Sequence, residues 1–259
     1  MAITVRLMGG LANQLFQWAY GEALVRKGYS VNFDSSKLIE GTHREFSLGF
    51  LGVLPEKQDS SNLVHESSML YDPKMLEPVD PSTMIGYWQS EKYFESFADD
   101  IRRKFFGVMY RSIFSSAAEQ MEYEIYKHSG IAIHVRRKDY VDFQSFHGLP
   151  TIEYYRNAVK YIRERRPYDL KVFVFSDDKE WCRENFPKDF TIVDGTNKYE
   201  DLQLMASCKD IVIANSSFSW WGAWLGDNQF GRFVIAPKHW FANDIKEEIV
   251  PGRWVKLDY

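Results

Sequence analysis

Two adjacent arginines at the end of an apolar segment are the residues of this chain best suited to chemistry. In the segment IAIHVRRKDYV, residues 131–141, Arg136 and Arg137 directly follow the apolar residues, and Asp139 comes shortly after them. A guanidinium group stays charged near neutral pH and presents a planar fork of donors that matches phosphate oxygens. The segment therefore predicts a site for a phosphate-bearing ligand.

An alternating pattern indicates that these arginines lie at the carboxyl end of a core strand. Ile131, Ile133 and Val135 fall on one side of a period-two pattern, which places His134 and Arg136 on the other side. In open parallel sheets, ligands bind outside the carboxyl ends of the strands. The residues that follow the other predicted strands are therefore the next candidates.

Polar residues follow two of those strands. Asp177 and Asp178 come after the string KVFVF and Ser176, and the string NSSFSWWG, residues 215–222, comes after DIVIA. Serine hydroxyls and the first N–H groups of a helix can converge on an anion, although a helix cap at Ser217 or Ser219 explains the same pattern. The two aspartates likewise fit either helix capping or a carboxylate that accepts hydrogen bonds from a guanine edge or ribose hydroxyls.

A Gly-Gly turn joins the first predicted strand to the first predicted helix. Gly9 and Gly10 precede Asn13 and Gln14. The sequence has neither a GxGxxG pattern nor a Walker lysine, which argues against dinucleotide and P-loop sites. The glycines allow a ligand to approach the backbone closely, but a plain tight turn explains the same residues.

Composition limits the classes of partner. A chain of 259 residues, 45% hydrophobic and 26% charged, fits a globular protein with one large or two small domains. A net charge of -4 gives no general attraction to nucleic acid or to anionic membranes. No apolar run approaches the roughly eighteen residues of a membrane helix, and the N-terminus resembles a core strand rather than a signal peptide. We therefore expect a complete, soluble protein of the cytoplasm, with Cys182 and Cys208 as structural thiols.

The order of the predicted elements indicates an α/β protein with two domains. Residues 2–34 show a strand, a turn, a helix and a second strand, and residues 54–82 are polar and interrupted by prolines. From residue 131 onward strands and helices alternate, which favours a parallel sheet covered by helices on both faces. We expect one Rossmann-like domain over residues 1–115 and a second over residues 116–259.

Four strings, in order along the chain, resemble motifs of glycosyltransferase family 11, the alpha-1,2-fucosyltransferases. They span residue 6 to about residue 226 and read GGLANQLFQWAYGEAL, IAIHVRRKDYV, VFVFSDD and IVIANSSFSWWGAWLG. The resemblance implies a GT-B fold of two facing Rossmann-like domains, with GDP-fucose bound mainly by the second and the acceptor on the side of the first. It also implies transfer of fucose, with inversion at the anomeric carbon, to the 2-hydroxyl of a terminal beta-galactoside.

The resemblance also gives individual residues expected roles. Arg136 would contact the beta-phosphate of the donor, His134 would lie near the nucleotide, and Asp177 would bind the guanosine. The expected substrate-binding set also includes Arg137 and Asn215. Ser216, Ser217 and Phe218 would line the diphosphate. Four further members lie on the first domain: Gly9, Gly10, Asn13 and Gln14.

The expected chemistry follows from the charge that the reaction creates. Breaking the bond between fucose and GDP leaves negative charge on the beta-phosphate, so a positioned cation such as Arg136 lowers the barrier. The sequence has no Asp-x-Asp string, the usual metal-holding pattern of such enzymes, and we expect a reaction without metal or cofactor. Arg137 is expected to pair with a carboxylate such as Asp139 and to hold the loop rigid.

The sequence leaves the identity of the general base open, with Asp139 and Asp142 as the candidates. More distantly related fucosyltransferases that share the His-x-Arg-Arg string carry a glutamate several residues downstream, at or near the position of Gln144 in this chain.

Two other functions also stay open, because a fold does not fix a function. One is a module that binds a nucleotide sugar or glycan without catalysis, and the other is a transferase that uses another nucleotide sugar. We expect no nucleic-acid partner and at most a peripheral association with a membrane.

Overall fold

The structure is a computed structural model, and it describes residues 2–56, 62–109, 114–167, 170–227 and 231–259. The chain divides into two α/β units, one of Met1–Arg111 with Ile245–Pro251 and the other of Ser112–Asp244 with Gly252–Tyr259. Every strand pair among the described residues is parallel. The expected α/β class with parallel sheets is therefore confirmed.

The first unit is built on a four-stranded sheet. Its strands are β1 (Ala2–Arg6), β2 (Ser30–Asp34), β3 (Leu63–His65) and β4 (Thr83–Ile85). Its helices are α1 (Leu11–Arg26) and α2 (Ala98–Met109), and 3-10 turns cover Gly49–Leu51, Pro73–Leu76, Glu91–Tyr93 and Glu95–Phe97. The strand order is β2-β1-β4-β3. Helix α1 is buried on nearly all sides, and Gly28, with a φ of 95°, follows its end.

Strand β4 stops at Ile85, and a side chain accepts the backbone N–H groups that follow it. Glu66 accepts hydrogen bonds from the N–H of Tyr87 at 2.7 Å and of Trp88 at 3.1 Å. Trp88 adopts a φ of 49°, which is incompatible with an extended strand. The chain therefore turns away from the sheet directly after β4.

A segment far along the sequence completes the first unit. Within Ile245–Pro251, the Glu248 carboxylate accepts a hydrogen bond from Tyr71 N at 2.8 Å and from Lys92 Nζ at 2.6 Å. The sequence places all residues after 115 in the second domain, whereas the structure assigns these seven residues to the first unit. No periodic pattern marks such a return, because it depends on contacts between residues more than 150 positions apart.

The second unit is built on a six-stranded sheet. Its strands are β5 (Ile131–Val135), β6 (Val172–Ser176), β7 (Thr191–Ile192), β8 (Asp210–Val212), β9 (Val234–Pro237) and β10 (Val255–Leu257). Its helices are α3 (Ser116–His128), α4 (Lys138–Asp142), α5 (Gln144–His147), α6 (Ile152–Arg163), α7 (Lys179–Asn185), α8 (Lys198–Ser207) and α9 (Ser217–Leu225).

Strand β5 lies at the centre of this sheet and is buried on both faces. Ile131, Ile133 and Val135 pack with α6 in one apolar cluster, as the period-two pattern predicts. Ala132 and His134, on the other face, are also buried. Helices therefore cover both faces of the sheet, as a parallel sheet requires.

The strand order of the second sheet creates a crevice at one point. The order is β10-β9-β8-β5-β6-β7, so the chain moves from β5 to β6 and β7 on one side and then returns to β8 on the other side of β5. The loops that follow β5 and β8 consequently diverge, which is where open parallel sheets bind ligands. The arginine segment follows β5, and the serine string follows β8.

Two further features concern thiols and membranes. Cys182 and Cys208 are buried and unpaired, and burial raises the pKa of Cys182 to about 11 and of Cys208 to about 12. They are therefore poor nucleophiles near neutral pH. No helix in the described part of the chain is long and apolar enough to cross a membrane.

A buried ion pair links the first two strands. The register places Arg6 beside Asp34, and Arg6 Nε donates to Asp34 Oδ2 at 2.9 Å. Burial raises the pKa of Asp34, but hydrogen bonds from Ser36 and Arg6 outweigh burial, so that the pKa lies below its ordinary value of 3.8. A carboxyl group with a lowered pKa stabilises the fold above its unfolded pKa and loses this contribution as the pH falls through its folded pKa.

We expect the substitution Asp34→Asn to lower the free energy of unfolding by about 2 kcal/mol at pH 7, because the charged hydrogen bonds are lost. The difference from the wild type should narrow as the pH falls below 3.8, where the wild-type carboxyl becomes protonated. Urea unfolding at several pH values measures both effects. The matched control is Asp189→Asn, at an exposed position, and a constant difference across the pH range would contradict the prediction.

Candidate functional site

Arg136 lies at the carboxyl end of β5 between two carboxylates. Its Nη2 is 2.7 Å from Asp139 Oδ1, and its Nη1 is 3.2 Å from Asp177 Oδ2. The guanidinium group also lies over the Tyr140 ring, 5.6 Å from the centroid. Burial lowers the pKa of Arg136, but Asp139 and Asp177 outweigh burial and the pKa is raised. Arg136 is therefore a fixed, partly accessible cation at the crevice.

Arg137 has different partners and is held against the protein. Its backbone N–H donates to Asp177 Oδ1 at 3.0 Å, and its Nε donates to Asp178 Oδ2 at 3.3 Å. Its guanidinium group stacks over Trp181 at 4.1 Å. Arg137 thus pairs with a carboxylate, as expected, but that carboxylate is Asp178 and not Asp139. Helix α4 begins at Lys138 and places Asp139 one turn from Arg136 instead.

The two aspartates after β6 have separate tasks. Asp178 is the N-cap of α7 and accepts a hydrogen bond from Trp181 N at 3.1 Å. Asp177 instead faces the arginine loop. Burial raises the pKa of Asp177, and the opposing effects of Arg136 and the Arg137 N–H do not cancel this shift. Capping therefore explains Asp178 but not Asp177.

The serine string forms the start of helix α9. Ser216, rather than Ser217 or Ser219, is the N-cap, and its Oγ accepts a hydrogen bond from Phe218 N at 3.3 Å. Ser219 Oγ donates to Ala214 O at 3.2 Å inside the protein. Ser217 begins the helix and is half-buried. The first turn of α9 therefore follows β8 closely, and the N–H groups at a helix N-terminus suit an anion.

His134 connects the arginine strand to this helix. Its ring packs against Phe218, with 5.5 Å between the centroids. Burial, with a smaller contribution from Arg136, lowers the pKa of His134 to about 3. The imidazole is therefore neutral at physiological pH, and the positive charge at the end of β5 belongs to the arginines.

Asn215 joins three segments beneath the site. Its side-chain Nδ2 donates to the backbone carbonyl oxygen of His147 and, at 3.0 Å, to that of Trp240. The backbone carbonyl oxygen of Asn215 accepts a hydrogen bond from Tyr140 Oη at 3.2 Å. Tyr140 also stacks on the ring of His147 at 4.2 Å. The Nδ2 group of Asn215 is thus used inside the protein, and a contact of this residue with a ligand stays a prediction.

The short helices α4 and α5 were not expected from the sequence. They are only five and four residues long, too short for a periodic apolar pattern to appear. They bring Tyr140 and His147 together, and neither residue was assigned a role from the sequence. Asp142 and Gln144 are exposed on the same segment.

The predicted turn residues of the first unit form a compact local network. Gly9 has a φ of 74°, and a Cβ atom there would lie 2.5 Å from Asn13 Nδ2. Gln14 is buried, and its Nε2 donates to Gly9 O at 2.9 Å and to Glu45 O at 2.8 Å. A Cβ atom at Gly10 would lie 3.1 Å from a backbone oxygen. A tight turn therefore explains both glycines and Gln14.

Asn13 differs from its neighbours because only part of its amide is used in this network. Its Oδ1 accepts a hydrogen bond from Gln89 Nε2 at 2.9 Å. Asn13 is half-buried.

Among the described residues, no group of three or more His, Cys, Asp or Glu side chains is arranged to hold a metal ion.

An open parallel sheet with a cation at the carboxyl ends of its strands is typical of α/β proteins that bind an anionic ligand there, nucleotide-binding proteins among them. Comparison with known proteins narrows this class. The profile of glycosyl transferase family 11 matches residues 62–258. An alpha-1,2-colitosyltransferase of Escherichia coli is 31% identical over 99% of this chain and 99% of its own length. The O-antigen biosynthesis glycosyltransferase WbnK of Escherichia coli is 27% identical over 97% of this chain and 99% of its own length. The chain therefore belongs to glycosyl transferase family 11 and is a glycosyltransferase.

Solved structures of POFUT1 are also similar to this chain. The apo form has a TM-score of 0.43 and 14% identity, with 91% of this chain and 97% of that chain covered. A complex with GDP-fucose has a TM-score of 0.40 and 14% identity, with 87% of this chain and 94% of that chain covered.

We expect Asn215→Ala to lower the free energy of unfolding by about 1–3 kcal/mol, because the carbonyl groups of His147 and Trp240 would lose a buried donor. Ser217→Ala, at the half-buried first position of α9, should change it by less than about 0.5 kcal/mol. Urea unfolding measures both values. An Asn215→Ala protein that is as stable as the wild type but no longer binds nucleotide would show that Asn215 contacts the ligand instead.

Proposed function

We propose that this protein transfers L-fucose from GDP-fucose to the 2-hydroxyl of a terminal beta-galactoside, with inversion at the anomeric carbon and without a metal ion. The observation that carries the proposal is the position of Arg136, a cation held by two carboxylates at the end of β5, two residues after His134, which packs against Phe218 of α9. The resemblance of the arginine, aspartate and serine strings to alpha-1,2-fucosyltransferase motifs supports the choice of donor. A cytoplasmic location is part of the same proposal.

In this proposal the donor diphosphate lies between Arg136 and the start of α9. A guanidinium group can donate two hydrogen bonds to phosphate oxygens, and the N–H groups of a helix N-terminus favour a second phosphate. As the bond between the sugar and the beta-phosphate breaks, negative charge grows on the phosphate that Arg136 contacts. A charge placed in advance stabilises the transition state more than the ground state.

Asp177 is suited to the guanosine in the same arrangement. Its two oxygens contact the Arg137 N–H and Arg136 Nη1, but a carboxylate has about four acceptor positions. Acceptor capacity therefore remains for N–H groups of a guanine edge or for ribose hydroxyls. His134, being neutral, adds shape and not charge next to the nucleotide.

The acceptor must lose a proton as it attacks. Its 2-hydroxyl oxygen forms the new bond to the anomeric carbon, the bond to the beta-phosphate breaks, GDP leaves, and the hydroxyl proton passes to a base. Asp139 and Asp142 are the proposed bases. Asp139 is bonded to Arg136, whereas Asp142 is exposed at the end of α4. The acceptor is assigned to the first unit, where the half-buried amide of Asn13 suits hydroxyl groups.

A second candidate is the transfer of colitose. The relative at 31% identity is named an alpha-1,2-colitosyltransferase, and the linkage in that name agrees with the proposal while the sugar differs. Colitose lacks the 3-hydroxyl group of fucose. A site that hydrogen-bonds this hydroxyl would discriminate strongly between the two donors, because its polar groups would otherwise be left unpaired.

The purified protein, incubated with GDP-fucose, a beta-galactoside and EDTA, should release GDP and form a product fucosylated at the 2-hydroxyl. A parallel incubation with GDP-colitose compares the two candidate donors. Mass spectrometry of the glycan and an assay for GDP measure the outcome. Activity that disappears in EDTA and returns with Mg²⁺ would contradict the metal-independent mechanism, and saturable binding of GDP-fucose without turnover would favour a binding module.

Arg136→Ala should reduce kcat by about a hundredfold to a thousandfold, because the leaving phosphate loses its stabilising cation. Arg136→Lys should fall between this variant and the wild type, since lysine keeps the charge but not the planar fork. The matched control is Arg183→Ala, which removes an exposed arginine paired with Asp194 on the surface. Activity of Arg136→Ala within a few-fold of the wild type would remove Arg136 from the proposed role.

A further inference from the structure

Asp139 uses the same donors of Arg136 that a phosphate would use. Arg136 Nη2 is 2.7 Å from Asp139 Oδ1 and 2.8 Å from Asp139 Oδ2. A carboxylate and a phosphate present similar pairs of oxygens to a guanidinium group. Both carboxylate oxygens of Asp139 therefore contact the Nη2 group, which a phosphate could otherwise use.

The two carboxylates on Arg136 are not equally fixed. Asp177 is 19% exposed, follows a core strand and also accepts the N–H of Arg137. Asp139 is 46% exposed and lies on the five-residue helix α4. Arg136 is its one side-chain partner among the described residues. Turning Asp139 into water therefore breaks its contacts with Arg136 alone, whereas turning Asp177 away would also break its hydrogen bond with the Arg137 N–H.

The charges at the site favour such a movement when an anion binds. Two cations, Arg136 and Arg137, contact three carboxylates, those of Asp139, Asp177 and Asp178. A diphosphate placed on Arg136 would lie within a few ångströms of Asp139, and like charges at this distance repel. Movement of Asp139 removes the closest of these repulsions and frees Nη2.

We propose that, before the donor binds, Asp139 holds Arg136 in its binding orientation, and that it gives up Nη2 to the beta-phosphate when the donor binds. This inference rests on the proposed function, in which Arg136 contacts that phosphate. The exchange keeps the number of charged hydrogen bonds on Arg136 constant. It also means that the apparent Kd for a diphosphate increases with the fraction of molecules in which Asp139 contacts Arg136.

Calorimetric titrations of GDP and of inorganic pyrophosphate into the wild type and two variants test this exchange. Asp139→Asn removes the competing charge, and we expect it to lower the Kd for both ligands roughly three- to tenfold. Glu180→Gln is the matched control, because it removes one negative charge from the first turn of the short helix α7 at an exposed position. It should change the Kd less than twofold. Thermal unfolding of each variant verifies that the fold is intact.

The double variant Arg136→Ala with Asp139→Asn separates competition from a general effect of charge. If Asp139 acts through Arg136, the gain from Asp139→Asn disappears in the Arg136→Ala background. Unchanged or weaker diphosphate binding by Asp139→Asn would overturn the proposal, and so would an equal gain from Glu180→Gln. Binding of pyrophosphate to neither the wild type nor Asp139→Asn would overturn it as well.

Failure of the proposed function has a different signature. If the donor is not a guanosine diphosphate sugar, GDP-fucose gives no turnover and GDP binds no better than pyrophosphate. The gain of Asp139→Asn for pyrophosphate would persist in that case, because it depends only on Arg136 and a phosphate group.

Discussion

The ion pairs of Arg136 with Asp139 and Asp177 join three parts of the second unit: the end of β5, the helix α4 and the end of β6. A guanidinium group at the end of a buried strand is costly to desolvate unless carboxylates surround it. The same carboxylates fix its orientation at the carboxyl edge of the sheet. Charge compensation and ligand geometry are thus met by one set of contacts.

The residues around this centre divide the work between them. Arg136 keeps an accessible face, while Arg137 is fixed by Asp178 and by stacking on Trp181. Below them, the stack of Tyr140 on His147 and the hydrogen bonds of Asn215 hold the short helices to the sheet. These contacts therefore allow an exposed segment of two short helices to keep Arg136 well oriented.

Much of this arrangement could be predicted from the sequence, and the remainder has identifiable physical causes. The alternation in residues 131–135 predicts a core strand, and alternating strands and helices predict a parallel sheet whose carboxyl edge carries the site. Periodicity carries no information on α4 and α5, which are shorter than the repeat it needs. It also misses Glu66, which ends β4 by binding backbone N–H groups some twenty residues away. Periodicity also does not identify Ser216, rather than its neighbours, as the helix cap, because that depends on where β8 ends.

The return of Ile245–Pro251 to the first unit has a consequence for building chimeric enzymes. A hybrid made by joining residues 1–115 to the second half of a relative would keep Tyr71 and Lys92 but lose Glu248, their shared partner. The foreign chain would have to supply a carboxylate at the matching place. Exchange of the first unit between family members therefore requires two cuts in the second half of the chain, so that this seven-residue segment travels with the unit it completes.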